Sequence, residues 1–187
     1  MKEPTSLKET IEQTIAELTP DLRPHEKKKL SEAIEKSLKD GVPIRTTLGI
    51  NNDTMEYLYA YGHRQFSLRK YAAAERIFQM LYMLNPLDSR YALGIAAAYQ
   101  MDKKYDQAIG WYLALSSIDE RSPLPFYYMS DCFLKKLENK ASLEYLKKAI
   151  ERCGEIPEYA NLKERALRMI VPLEAQIQKE EMSYDHQ

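Results

Sequence analysis

The stretch YAAAERIFQMLYMLNP at residues 71–86 decides the fold. Ala74, Phe78 and Leu81 lie four and three residues apart, which places them on one face of a helix, and Pro86 closes the stretch. The pattern returns twice without a gap, each time after 34 residues, as Ala108, Tyr112 and Leu115 and then as Ser142, Leu146 and Ala149. The sequence therefore predicts a repeated helical unit.

The helix before this stretch repeats with the same period. Gly62 corresponds to Ala96 and Ser130, and all three are small. A 34-residue period with small residues on both helices predicts tetratricopeptide repeats, which are antiparallel helix pairs that stack into a solenoid. The small residues let the helices of a pair approach closely. We place the repeats at about 55–88, 89–122 and 123–156; the usual first-helix Trp is absent, and a terminal proline occurs only at Pro86.

The composition indicates the fold class and argues against several classes of function. The 187 residues are 44% hydrophobic and 29% charged, and strand-like alternation is scarce, which favours an all-α protein. A net charge of −1 without a basic stripe argues against binding to nucleic acid. No apolar run reaches the roughly 20 residues of a membrane span, and MKEPTSLKETIEQ lacks the apolar core of a signal peptide. We expect a cytoplasmic protein with no stable membrane association.

Helices flank the repeats. We expect one over 5–19, capped by Thr5 or Ser6, and one over 24–40 that stops at Gly41. Residues 41–52 are interpreted as a linker, with Asp53 as the cap of the first repeat helix. After residue 157 one more helix, kinked at Pro172, covers the end of the array and leaves a loose tail. The predicted organisation is an N-terminal helical segment over 1–50, repeats over 51–156, and a C-terminal capping helix and tail over 157–187.

Stacked pairs curve, and their first helices line the concave face. The positions left free by the packing pattern are Tyr59, His63 and Phe66 in the first repeat, Leu93, Ala97 and Gln100 in the second, and Tyr127, Asp131 and Leu134 in the third. Most are apolar where solubility alone would favour charge. Two interpretations stay open: an apolar groove for a peptide, or packing against a flanking helix of the same chain.

Signs of catalysis are missing from the sequence. The histidines at 25, 63 and 186 have no second His or Cys at metal-ligand spacing, and no glycine-rich phosphate loop occurs. We expect no enzyme activity, no cofactor and no metal. Cys132 and Cys153 fit a reducing compartment, and the apolar run around Cys132 predicts a buried thiol.

The repeats also resemble a particular family. The stretches 52–81, 87–112 and 123–151 resemble the class II chaperones of bacterial type III secretion systems, most specifically in LDSRYALGIAAAYQMDKKYDQAIGWY. The resemblance implies a chaperone that binds secreted hydrophobic translocator proteins in the bacterial cytosol, holding an extended segment with spaced Pro and Leu in the groove. It assigns Tyr59, His63, Phe66 and Tyr71 to the groove, although His63 stands where an aromatic is common. It also implies a homodimer formed through N-terminal helices.

Two other functions of tetratricopeptide-repeat proteins are compared with the chaperone interpretation. A clamp for the C-terminal carboxylate of a heat-shock chaperone needs Lys and Asn on the first helices, and the comparable places hold Tyr59, His63, Gly94, Leu124 and Tyr128. That function is disfavoured. A tetratricopeptide scaffold or regulatory adaptor in a larger assembly stays open.

Overall fold

The computed structural model describes residues 7–18 and 22–184, and within these ranges it contains helices and no strand. The helices are α1 (Leu7–Leu18), α2 (Pro24–Asp40), α3 (Ile44–Leu48), α4 (Asn52–Ser67), α5 (Tyr71–Leu84), α6 (Ser89–Met101), α7 (Tyr105–Ile118), α8 (Leu124–Lys135), α9 (Asn139–Cys153) and α10 (Ala160–Tyr184), the last preceded by a short 3-10 turn at Pro157–Tyr159. The predicted all-α class is confirmed.

Three helix hairpins form the body of the molecule. They are α4 with α5, α6 with α7 and α8 with α9; each packs on the next, and α10 packs on α9. The small residues predicted at the helix contacts are buried, including Gly62, Ala74, Ala96 and Ala108. The predicted solenoid of three tetratricopeptide hairpins with a C-terminal capping helix is confirmed, while the boundaries of the segments 1–50, 51–156 and 157–187 stay a prediction.

The third hairpin replaces the small apolar contact by a hydrogen bond. Ser130 and Ser142 are fully buried, and the Ser142 hydroxyl donates to the Ser130 carbonyl oxygen at 2.9 Å. Their hydroxyl oxygens lie 3.1 Å apart. A buried hydroxyl is costly unless it is paired, so this mutual pairing lets serine occupy a position where the other repeats use glycine or alanine.

Several details differ from the sequence interpretation. The segment 41–52 is not a plain linker, because it contains α3. Asn51 rather than Asp53 caps α4: its side-chain oxygen accepts from the Thr54 N–H at 2.8 Å. α10 continues through Pro172 to Tyr184, so part of the expected loose tail is helical. The proposed caps Thr5 and Ser6, and residues 185–187, lie outside the described residues.

Both cysteines are buried and free. Burial raises the pKa of the Cys132 thiol to about 12 and also raises the pKa of Cys153. Cys132 therefore behaves as a small apolar core residue, as predicted. No helix of the described ranges combines the length and apolar character that crossing a membrane requires.

Candidate peptide-binding groove

A groove opens between the first helices of the three hairpins. It encloses about 370 Å³. Its lining residues are Tyr59, His63, Phe66, Phe78, Arg90, Leu93, Gly94, Ala97, Gln100, Met101, Tyr112 and Tyr128. Most of this surface is apolar or aromatic, and it is shared by α4, α6 and α8 with contributions from α5 and α7. Such a cleft suits an elongated apolar ligand that contacts several helices at once.

Phe78 forms the floor at one end of the groove. Its ring is almost fully buried between Gly62 of α4 and Gly94 of α6. A Cβ atom on Gly94 would lie 2.7 Å from Phe78 Cδ2, and one on Gly62 would lie 2.9 Å from Phe78 Cε1. Only glycine fits at these two places without moving the ring, so the missing side chains let α4 and α6 close around Phe78.

Aromatic rings build the wall above this floor. The ring centroids of Tyr59 and His63 are 4.6 Å apart, and those of His63 and Phe78 are 5.5 Å apart, both in edge-to-face arrangement. Burial raises the pKa of Tyr59. Edge-to-face contacts fix ring orientations, so this wall presents a rigid apolar surface before any ligand arrives.

An arginine closes the rim beside Tyr59. The Arg90 guanidinium lies 4.8 Å from the Tyr59 ring centroid and donates to Glu56 at 2.7 and 3.1 Å. It also donates to Asp88 at 2.7 Å, and this hydrogen bond lowers the pKa of Asp88. The two carboxylates hold the guanidinium in place, so Arg90 stacks on the wall and braces α4 against α6.

The opposite end of the groove carries a polar chain. The buried Tyr112 hydroxyl donates to Gln100 Oε1 at 2.5 Å, and Gln100 Nε2 donates to Asp131 Oδ2 at 2.7 Å. The rings of Tyr112 and Tyr128 stack at 5.3 Å. Burial raises the pKa of Tyr112 far above its ordinary value, so its hydroxyl stays protonated and remains a donor.

The structure brings six of the ten predicted site residues into this lining: Tyr59, His63, Phe66, Leu93, Ala97 and Gln100. The other four do not line the groove, although two of them contact lining residues. The ring of Tyr71 contacts that of Phe66 edge-to-face, with the centroids 5.4 Å apart. Asp131 accepts a hydrogen bond from the Gln100 side chain. Tyr127 and Leu134 pack in a cluster with Ala166 and Leu173 of α10, so at the third repeat the flanking-helix interpretation applies.

The choice of first-helix positions left free by the repeat packing missed part of the groove lining. Arg90, Gly94 and Met101 share a stripe of α6 with the predicted Ala97, at spacings of four and three residues, and extending the stripe along α6 identifies them. Phe78 and Tyr112 were assigned to packing alone. Each is a core residue with one edge at the groove, and no local pattern separates that case from full burial.

The arrangement supports the binding of an apolar ligand. Among the described residues no group of three or more His, Cys, Asp or Glu side chains is placed to hold a metal ion. Among the groove's polar groups, Tyr112 donates to Gln100, and Arg90 donates to Glu56 and Asp88. The apolar surface of the groove gains free energy by being covered.

Comparison with known proteins agrees with this geometry. The tetratricopeptide repeat family matches residues 87–116. Low calcium response locus protein H of Yersinia pseudotuberculosis is 34% identical over 153 residues, which cover 82% of this chain and 89% of that protein. The translocator chaperone SycD of Yersinia enterocolitica superposes with a TM-score of 0.67 at 31% identity, over 70% of this chain and 98% of that one.

A second solved structure is PcrH of Pseudomonas aeruginosa in complex with the chaperone binding region of PopD. It superposes with a TM-score of 0.65 at 30% identity, over 68% of this chain and 96% of PcrH. Fold and groove together define a tetratricopeptide-repeat binding protein. The extent and identity of the matches go further: the chain belongs to the class II chaperones of type III secretion, the translocator chaperones. The family resemblance in the sequence is confirmed.

Proposed function

We propose that this protein binds hydrophobic translocator proteins of a type III secretion system before their export, and holds one extended segment of the cargo in the groove. The observation that carries the proposal is the groove itself, a preformed apolar cleft lined by Tyr59, Phe66, Leu93 and Tyr128. The site of action is the bacterial cytoplasm, and the activity is binding without a covalent step.

The physical task of such a chaperone follows from its cargo. A translocator carries membrane-seeking apolar segments, which aggregate or insert if they are left exposed to water. Covering one such segment shifts the cargo by mass action away from aggregates and towards the bound form. The cargo loses conformational entropy on binding, which moderates the affinity and allows later release.

The relatives support this assignment. PcrH has been solved with the chaperone binding region of PopD, and SycD with a peptide of the translocator YopD. SycD has also been solved as an alternative dimer, which supports a homodimer here. We propose that the N-terminal helices α1 and α2 form that dimer.

A groove-filling variant tests the proposed function. Ala97→Trp places an indole in the groove without removing a core side chain, because Ala97 is only half-buried. We expect binding of a synthetic PopD chaperone-binding peptide to weaken roughly a hundredfold, the loss of one hot-spot contact. Fluorescence anisotropy measures the affinity, and thermal unfolding by circular dichroism checks that the fold survives.

The matched control is Ala72→Trp, because Ala72 is exposed on α5 outside the groove. This variant should bind the peptide like the unmodified protein. Equal affinity of Ala97→Trp and Ala72→Trp would rule out the groove as the cargo site. No binding of the peptide to the unmodified protein would instead favour a scaffold or adaptor function.

A further inference from the structure

Asp131 is an acceptor without a full set of donors. Its carboxylate is half-buried on α8 and makes a single hydrogen bond within the described part of the chain, to Gln100 Nε2 at 2.7 Å. No Lys or Arg of these residues lies within ion-pair distance of it. Its negative charge contributes, after burial, to the raised pKa of Cys132 and of Tyr112. The second oxygen of this half-buried carboxylate can accept a hydrogen bond from a further donor.

The neighbours of Asp131 hold it in a fixed orientation. The Gln100 amide cannot turn freely, because its oxygen accepts from the Tyr112 hydroxyl at 2.5 Å. Tyr112 is 1% exposed and stacks on Tyr128, so the anchor of the chain does not move. Gln100 therefore directs its N–H₂ group at Asp131 Oδ2, and Asp131 Oδ1 has no hydrogen-bond partner among the described residues.

An extended ligand brings donors that need such an acceptor. A peptide in extended conformation makes no helical or sheet hydrogen bonds of its own, so each N–H that is covered by the groove must find a side chain or water. The backbone acceptors of α4, α6 and α8 are used within the helices, except in the last turn of each helix, where several accept from the turn that follows. Most of the groove lining is apolar, which leaves few side-chain acceptors beside the groove.

We propose that Asp131 accepts a hydrogen bond from one backbone N–H of the bound cargo segment and thereby fixes its register and direction in the groove. The proposal rests on the proposed function of the groove. The corresponding positions in the other repeats are His63 and Ala97, neither of which carries a charged acceptor, so the two ends of the groove differ. Proline lacks an N–H, and the cargo residue opposite Asp131 is therefore not proline.

Backbone N-methylation of the cargo peptide provides the test. A synthetic PopD chaperone-binding peptide is prepared unmodified and with one N-methyl group at each interior position in turn. Isothermal titration calorimetry then measures binding to the full-length protein and to Asp131→Ala. We expect Asp131→Ala to bind the unmodified peptide about tenfold more weakly, as for a lost hydrogen bond to a charged group.

The coupling between the two changes is decisive. At one position, N-methylation should weaken binding to the unmodified protein about tenfold and have no further effect on Asp131→Ala. At every other position both proteins should respond alike. A merely structural role of Asp131 cannot produce this position-specific loss of additivity.

Two variants serve as controls. Asp131→Asn retains a hydrogen-bonding partner for Gln100 but lacks the charge, and its affinity should lie between those of Asp131→Ala and the unmodified protein. Asp106→Ala removes an exposed carboxylate of α7 outside the groove and should leave binding unchanged. Circular dichroism on each variant reports whether the fold is intact.

The outcomes separate this inference from the proposed function. If the unmodified peptide fails to bind the unmodified protein, both are wrong. If the unmodified peptide binds Asp131→Ala as tightly as the unmodified protein, the proposed role of Asp131 is wrong. The same holds if N-methylation at every position weakens binding to Asp131→Ala as much as to the unmodified protein. In both cases the proposal that the groove binds cargo is unaffected. If replacing a Lys or Arg of the peptide reproduces the loss and N-methylation does not, Asp131 pairs with a cargo side chain and the backbone contact is wrong.

Discussion

A single side chain, Phe78, joins the packing of the hairpins to the shape of the groove. Gly62 approaches it from α4 and Gly94 from α6, at separations that leave no room for a methyl group. Protein interiors are packed too densely to absorb an added methyl group without cost. Since Gly94 and Phe78 also line the groove, a change at Gly94 alters stability and ligand binding together.

Substitution of Gly94 tests this contact. In Gly94→Ala the new Cβ displaces the Phe78 ring, and overpacking of this kind costs about 1–3 kcal/mol, partly offset by the better helix propensity of alanine. We expect a net loss in free energy of unfolding of about 1 kcal/mol, measured by urea titration with circular dichroism. In the matched variant Gly110→Ala, on α7, the added Cβ meets nothing within 4 Å, so stability should rise by about 1 kcal/mol. Equal shifts in both variants would contradict the role of Phe78.

The sequence predicts residues well where the repeat constrains them. The small contact positions follow from the 34-residue register, because every hairpin has the same need for close approach. The 34-residue correspondence does not predict burial correctly at the first repeat. Tyr61 corresponds to Ile95 and Met129, which are 0% exposed, yet Tyr61 is 45% exposed. The first hairpin has no preceding hairpin to cover it, and no pattern within α4 carries that information.

The turn inside each hairpin is built the same way in all three repeats. Arg69, Lys103 and Leu137, spaced by 34 residues, adopt positive φ angles of 59°, 61° and 62°. The N–H groups that follow them bond back across the helix end, as in Lys70 to the Gln65 carbonyl oxygen at 3.0 Å. This left-handed turn normally favours glycine, and here none of the three positions has one.

Leu137→Gly tests the strain at this turn. Leu137 has a φ of 62° and is 78% exposed, so glycine relieves the left-handed conformation and gives up little packing. Relief of about 1–2 kcal/mol exceeds the added entropy of the unfolded chain, and we expect a gain in unfolding free energy of about 0.5–1 kcal/mol. Thermal or urea unfolding measures it. Ala60→Gly, at an exposed residue in the middle of α4, should lower stability instead; a loss in both variants would show that the turn is not strained.

Whole elements were predictable in proportion to their length and periodicity. The six repeat helices and α2 follow from apolar spacing and from stop signals such as Gly41, which has a φ of 68°. α3 escaped prediction because five residues are too few to display a helical period. The cap of α4 was misassigned by two residues, since Asn51, Asn52 and Asp53 are all suitable caps and only the geometry selects Asn51.

At the scale of the whole molecule, the exposed end of the array bears on assembly. Tyr57 of α4 is 72% exposed, whereas its counterpart Tyr91 in the second repeat is 1% exposed beneath the preceding hairpin. The N-terminal helices pack mainly on one another, α1 on α2 and α2 on α3, and α3 contacts α5. Tyr57 and Tyr61, both exposed on α4, and the helices before α4 are therefore available to a second copy of the chain.

Removal of residues 1–40 separates assembly from cargo binding. The deletion ends with α2, and every residue that lines the groove lies between Tyr59 and Tyr128, within the hairpins. We expect the molar mass from light scattering to fall from that of a dimer to that of a monomer, because the helices proposed to form the dimer are gone. Affinity for the PopD peptide should stay within about twofold, since each hairpin keeps its own packing. An unchanged dimer mass would contradict dimerisation through α1 and α2, and a lost affinity would mean that these helices support the groove.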